Sequence, residues 1–255
     1  MNEYTKKLKE KLRKGDVSYG SWITIGNPII AELMANSGFE WLTIDMEHSA
    51  ITLIEAQNLI RTIELLGCVP LVRVGEKNPN LIKRVMDAGA HGIIVPMVNN
   101  KQDAELAVNS VRYPPKGKRG VGLARAQDYG FGFEKYKKKL EKSSIIIVQI
   151  EHIDAVDNLK EIISVDGVDG FIVGPYDISG SLGRPGDFEN PEFKKCITKI
   201  MQYSKKYNKP AGFHVIPPDE KEVKKIIKLG YKFVAISLDT LFLGTLCKNV
   251  LNKVK

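Results

Sequence analysis

Two carboxylates, Glu151 and Asp177, stand 26 positions apart, each just past a short apolar run. Side by side, two carboxylates repel unless a cation or a proton lies between them. Brought together by a scaffold, they suit Mg²⁺ or Mn²⁺, which take carboxylates, waters and a substrate oxygen. The competing reading is a pair of surface acids tied to Arg or Lys. A second cluster, Asp45-Met46-Glu47-His48, puts three titratable groups within four residues. His48 suits general acid or base work near neutral pH, and a neighbouring carboxylate would fix its tautomer. Its bland alternative is a histidine that caps the following helix. Arg73 ends the run Val69-Pro-Leu-Val-Arg73. Its planar fork suits a carboxylate or a developing enolate oxygen, or else a rim ion pair with Glu151 or Asp177. Asp87 closes a helical segment, where the helix dipole disfavours an anion. A cationic partner is therefore expected for it, and a histidine, Lys83 and Arg84 are the candidates.

Gly174-Pro175-Tyr176-Asp177 opens a short helical stretch, so the N–H groups of Tyr176 and Asp177 are candidate donors to a substrate carboxylate. His91, His152 and His214 lean to structural roles, although His214 ends an apolar run and could face a site. Gly120-Val-Gly122 lacks the strand–turn–helix setting of a dinucleotide site, and no P-loop, GxSxG, HExxH or EF-hand pattern occurs. No lysine ends a strand-like run, which disfavours a Schiff-base route.

Eight apolar runs, rich in Val and Ile, must position these groups: 17–25, 40–45, 69–74, 92–96, 145–150, 168–173, 210–215 and 232–236. None alternates cleanly, as expected of strands buried on both faces. Helical segments fall between them at 28–37, 52–66, 78–89, 154–165, 190–207, 219–229 and 239–253. Their signals are local: Asn27 before Pro28, the capping-box pattern Thr52-Leu-Ile-Glu55, and Gly38 and Gly67 as stops. Strand alternating with helix implies parallel pairing and right-handed crossovers. Eight such units close most simply into a (β/α)₈ barrel, a single domain over 1–255. A barrel's chemistry sits at the C-terminal ends of its strands. Asp45, Arg73, Gln149, Glu151, Gly174 and Asp177 all fall there. The stretch 112–132, rich in Gly, Pro and aromatics, breaks the rhythm and reads as a binding loop or subunit contact.

The chain has 255 residues, 43% of them hydrophobic and 27% charged, which excludes a disordered or fibrous chain. No apolar run approaches the about 18 residues of a membrane span, and the first residues show no secretory signal. Three cysteines, Cys68, Cys196 and Cys247, form no CxxC pair. Reduced, buried thiols, a cytoplasmic location and no structural zinc are expected. The net charge is +8. The lysines are interleaved with acidic and apolar residues along helical stretches, so they read as solvated faces, with no nucleic acid and no membrane as partner.

Phe39-Glu-Trp-Leu-Thr-Ile-Asp45-Met-Glu-His48, Val95-Pro-Met-Val98 and Arg112-Tyr-Pro-Pro115 carry a family likeness. Arg119-Gly-Val-Gly122, Val148-Gln-Ile-Glu151 and Gly167-Val-Asp-Gly-Phe-Ile-Val-Gly-Pro-Tyr-Asp177-Ile-Ser179 extend it. Together, across about 20–246, they resemble the class II metal-dependent pyruvate aldolases of the aldolase/citrate lyase superfamily, typified by 4-hydroxy-2-oxoheptanedioate aldolase. The resemblance implies a pyruvate-type (β/α)₈ barrel, a hexamer built as a trimer of dimers, and a last helix exchanged between subunits. It implies Glu151 and Asp177 as ligands of a divalent cation (Mg²⁺, Mn²⁺ or Co²⁺), and Gln149, Gly174 and the Tyr176 backbone as the pyruvate site. It also implies Arg73 beside the enolate, His48 in proton transfer, and either Asp45 or Asp87 behind the histidine. The substrates would be a 2-oxo acid and an aldehyde. The family's Gly-Pro-Ala-Asp stands here as Gly-Pro-Tyr-Asp, and the Gly212-Phe-His-Val-Ile-Pro-Pro218 stretch also differs, so the aldehyde partner is open. The alternatives are a citramalyl- or malyl-CoA-type lyase, and a basic RNA-binding barrel without catalysis.

Overall fold

A computed structural model describes residues 2–255. Eight parallel strands close into a barrel in chain order: β1 (Ser18–Ile23), β2 (Trp41–Asp45), β3 (Val69–Arg73), β4 (Gly92–Val95), β5 (Ile145–Ile150), β6 (Gly170–Val173), β7 (Ala211–Val215) and β8 (Phe233–Leu238). The helices are α1 (Glu3–Lys14), α2 (Pro28–Asn36), α3 (Leu53–Leu65), α4 (Pro79–Asp87), α5 (Lys101–Val111), α6 (Phe133–Ser143), α7 (Ile153–Asp157), α8 (Leu159–Ile163), α9 (Pro175–Ser181), α10 (Pro191–Tyr207), α11 (Glu220–Lys228) and α12 (Asp239–Val254). No described helix is long and apolar enough to cross a membrane.

Side chains alternate across each strand, so every strand feeds two layers. Leu42 and Ile44 of β2 join the layer between sheet and helices, with Leu59, Ile60 and Ile63 of α3. Trp41 of β2, Val69 and Leu71 of β3, Ile145 and Ile147 of β5 and Phe233 of β8 fill the barrel's interior. Trp41 and Phe233 stack there with ring centres 3.9 Å apart. The same alternation carries Asp45, Arg73, Gln149 and His214 inward at the C-terminal end.

The N-terminal end is stoppered by α1. Its Leu8 and Leu12 join the interior cluster, each contributing about 2 kcal/mol by burial. Lys9 of α1 pairs with Asp169 at 2.9 Å, and both side chains are buried. Thr5 Oγ1 meets His91 Nδ1 at 2.7 Å.

Two expectations are corrected in detail. The segment 154–165 is two helices. Asn158 ends α7 and begins α8, and its Nδ2 donates to the Asn99 carbonyl at 2.9 Å, so the chain turns to brace the loop after β4. The thiols are not uniformly buried: Cys68 and Cys196 are, whereas Cys247 is exposed on α12. Burial pushes the Cys68 thiol up to about 12.

Candidate active site

Ile150 and Val173 are register partners at the ends of β5 and β6, and Gly174 N–H donates to the Ile150 carbonyl at 3.0 Å. Glu151 and Gly174 therefore leave the barrel side by side. A Cβ added at Gly174 would lie 2.7 Å from Glu151 Cβ, and 3.3 Å from both Glu151 Oε2 and Asp177 Oδ2. Both carboxylates thus converge on one spot that only glycine leaves open. Glu151 is buried. Its Oε1 accepts from Met97 N–H at 2.6 Å, and its Oε2 accepts from Gln149 Nε2. Met97 reaches that position with φ at 52°, a left-handed conformation that costs a non-glycine residue about 1 kcal/mol.

Gln149 Oε1 is buried with no hydrogen-bond partner. Two carboxylates beside an unpartnered amide oxygen form a hard-oxygen donor set, the chemistry of Mg²⁺ or Mn²⁺ rather than zinc. No group of three or more His, Cys, Asp or Glu side chains is arranged to hold a metal ion among the described residues. Substrate and water would complete the shell of any cation held there.

Across the mouth, Asp45 and Arg73 are register partners on β2 and β3. Arg73 Nε donates to Asp45 Oδ1 at 2.9 Å and Nη2 to Oδ2 at 2.7 Å, a two-point fork. Its Nη1 lies 3.2 Å from Glu47 Oε2. The sequence pointed to Glu151 or Asp177 as rim partners of Arg73; Asp45 and Glu47 take that place, because strand register sets Asp45 directly opposite. Burial pushes the Asp45 carboxyl up, but the Arg73 fork and the Glu47 and His48 N–H groups outweigh it and hold the pKa low. Burial raises the pKa of Glu47, helped by the charges of Glu151 and Asp45 and opposed by Arg73 and His48.

His48 is 71% exposed at the side chain, with Nε2 3.8 Å from Glu47 Oε2. Asp45 accepts from the His48 backbone N–H at 3.3 Å and does not bond the imidazole. Asp87 does not bond it either. Its partner is Arg119, at 2.5 Å from Nη2 to Oδ1, so the expectation of a histidine, Lys83 or Arg84 is corrected. Arg119 lies far along the chain in the Gly-rich stretch, a pairing that only the tertiary fold makes. Gln127 Nε2 lies 3.4 Å from the same oxygen, and Tyr113 and Tyr136 flank the guanidinium at 4.9 and 5.6 Å. Asp87 thus anchors the 112–132 stretch, which contains a short 3₁₀ turn at Arg125–Gly130.

His214 faces the mouth. Its Nε2 lies 3.0 Å from the Ser237 carbonyl and its ring centre 5.4 Å from that of Trp22. Burial lowers its pKa to about 4, against the Ser237 carbonyl and with the Arg73 charge. His152 instead caps α7, accepting from Asp154 N–H at 3.2 Å.

Residues 18–244 match the family model described as HpcH/HpaI aldolase/citrate lyase. The chain belongs to this family. It is 37% identical over 239 residues to a 2-keto-3-deoxy-L-rhamnonate aldolase of Escherichia coli, covering 93% of this chain and 88% of that one. A family protein from Burkholderia cenocepacia superposes with a TM-score of 0.90 at 31% identity, covering 98% of this chain and 99% of that one. An HpcH/HpaI aldolase from Desulfitobacterium hafniense gives 0.87 at 28% identity, covering 97% and 96%. The barrel is therefore that of an HpcH/HpaI aldolase, and the chain is a lyase of the class II type.

Two parts of this candidate site, Trp22 and Met97, escaped the sequence reading. Trp22 lies under Arg73, with the guanidinium carbon 4.4 Å from the ring centre. Counting alternate positions along β1 would have found it. Met97 acts through its backbone, which no residue type announces. Asp239 accepts from Thr24 N–H and Ile25 N–H at 2.7 and 2.8 Å, and closes the seam between β8 and the loop after β1.

Proposed function

We propose that the chain catalyses divalent-metal-dependent, reversible retro-aldol cleavage of a 4-hydroxy-2-oxo acid to pyruvate and an aldehyde. The observation that carries this reading is the convergence of Glu151 and Asp177 on the opening at Gly174, beside the unpartnered Gln149 Oε1. The name of the Escherichia coli relative supports the substrate class, since a 2-keto-3-deoxy sugar acid is a 2-oxo acid.

Glu151 and Asp177 would hold a Mg²⁺, Mn²⁺ or Co²⁺ ion, which supplies a Lewis acid for the 2-oxo acid's oxygens. The Tyr176 and Asp177 N–H groups lie in the first turn of α9, where backbone donors lack helical partners, and they bind the substrate carboxylate. Gln149 orients the 2-oxo end. His48 takes the C4 hydroxyl proton, the C3–C4 bond breaks, and its electron pair becomes the enolate of pyruvate. Arg73 keeps its guanidinium beside the oxygen where that charge develops. Asp45 positions Arg73, and through its acceptor contacts it also sets the backbone at His48.

The test is exchange of pyruvate methyl protons in D₂O, followed by NMR with EDTA and then with added Mg²⁺, Mn²⁺ or Co²⁺. Metal-dependent exchange is expected. Glu151→Gln should lower it roughly 10³-fold while the melting temperature stays close to wild type. No exchange with any metal overturns the reading.

A homo-oligomer, a hexamer arranged as a trimer of dimers with α12 exchanged, belongs to the same proposal. Only Asp239 of α12 is buried. Leu243, Leu246, Val250, Leu251 and Val254 are exposed at helical spacing along it. A monomer by light scattering would remove this part.

A further inference from the structure

We infer that Tyr176, braced by the loop that follows α9, forms an apolar wall for the carbon chain of the aldehyde and selects aldehydes with an apolar face beyond the carbonyl; this rests on the aldolase reading above. Of the groups assigned to the 2-oxo acid end, Gln149 and Glu151 are buried at the floor, while Tyr176 and Asp177 stand exposed at the rim. Whatever is attached at C4 must therefore project outward through the mouth.

The two sides of that mouth differ. The ends of β2 and β3 carry Asp45, Glu47, His48 and Arg73. The residues just past β4, β6 and β7 include Met97, Tyr176 and Ile216, exposed at 41%, 61% and 52%. Of these three, Tyr176 is held in place by its surroundings. The buried Ser179 donates from Oγ to the Tyr176 carbonyl at 2.6 Å and accepts on the same Oγ from Gly186 N–H at 2.8 Å. The tie sets Gly186 against the ring: a Cβ there would lie 3.4 Å from Tyr176 Cε2. Gly186 has φ at 80°, so the turn that brings the loop to the ring favours glycine. The loop's cation, Arg184, faces Asp187 at 4.0 Å. What the loop and ring offer an incoming chain is an exposed aromatic face on a tied backbone, with Gly186 against one edge of the ring. Such a face rewards CH groups.

The experiment measures kcat/KM for aldol addition of pyruvate to butanal and to formaldehyde, with proton exchange on pyruvate alone as the control. In Tyr176→Ala the butanal-to-formaldehyde ratio should fall roughly tenfold, mainly through the KM for butanal. In Tyr176→Phe it should stay at the wild-type value, because the ring and not the hydroxyl acts. A general weakening of the site would lower both rates and leave the ratio alone. An unchanged ratio in Tyr176→Ala overturns the inference while leaving the aldolase reading intact. So does a Phe variant as impaired as Ala. Wild-type protein that exchanges no pyruvate protons with any metal overturns the aldolase reading, and this inference falls with it.

Discussion

Asp45 with Arg73, and Asp87 with Arg119, are two ion pairs made from the same side-chain types in different surroundings. The first sits on neighbouring strand ends and uses two parallel contacts. Arg73 keeps some exposure toward the mouth, so its remaining face can meet a substrate. The second sits between the end of α4 and the 112–132 stretch. Arg119 has no exposed side-chain surface at all and is enclosed by Tyr113 and Tyr136. No substrate can reach it. The resemblance left open which aspartate stands behind His48; within this chain Asp45 touches the histidine's backbone, and Asp87 holds a loop. The difference teaches that access separates an Asp–Arg pair open to a substrate, as the proposed function requires of Arg73, from one closed into the architecture.

The comparison can be broken most forcefully at Arg73. Arg73→Lys should lower kcat about 10²-fold, because a point charge cannot reproduce the fork, while the urea midpoint moves little. A wild-type rate would take Arg73 out of the mechanism.

At the second pair the expected loss is in stability. Asp87→Asn leaves the buried Arg119 cation without its counter-charge, at a cost of about 3 kcal/mol in urea unfolding. Lost activity at unchanged stability would instead return Asp87 to the chemistry.

Acid sharpens the contrast and has the smallest effect at neutral pH. Each region contains one histidine shielded from water: His91 is buried and His214 half-buried. His214 lies near Arg73, and His91 lies 3.0 Å from Glu64, which also pairs with Arg125 of the 112–132 stretch. Burial lowers the pKa of both imidazoles from 6.5 to about 4, in His91 against the pull of Glu64. Their folded values lie below the unfolded ones, so the stability they contribute is complete above pH 6.5. It drains away as the pH falls toward 4. The urea midpoint should drop across that window, and His214→Asn should flatten the drop. An unaltered slope in that variant would show that His214 is not held neutral by the fold.

The eight strands could be read from the chain because strands buried on both faces leave continuous Val- and Ile-rich runs. β8 extends past the expected end at residue 236 to Leu238. Its Ser237 has φ at 50°, a turn in the backbone that residue type does not advertise. The strand-end rule found Asp45, Arg73, Glu151 and Asp177 because charged residues after apolar runs are conspicuous. Which of them meet was hidden, since the Asp45–Arg73 contact follows from register between strands and not from spacing along one. Arg119 looked like one more base in a Gly-rich loop, and only tertiary packing buries it. The exposed thiol of Cys247 was missed for the related reason that α12 looks apolar enough to be covered.

The break between α7 and α8 carries a consequence for engineering. The Asn158 amide props the Asn99 carbonyl from the barrel's outer wall, two residues beyond the Met97 N–H that steadies Glu151. A saturation library confined to the pocket lining would skip this strut. A library over the whole chain should show Asn158 tolerating few replacements for turnover, as a lining residue would, although it never meets the substrate.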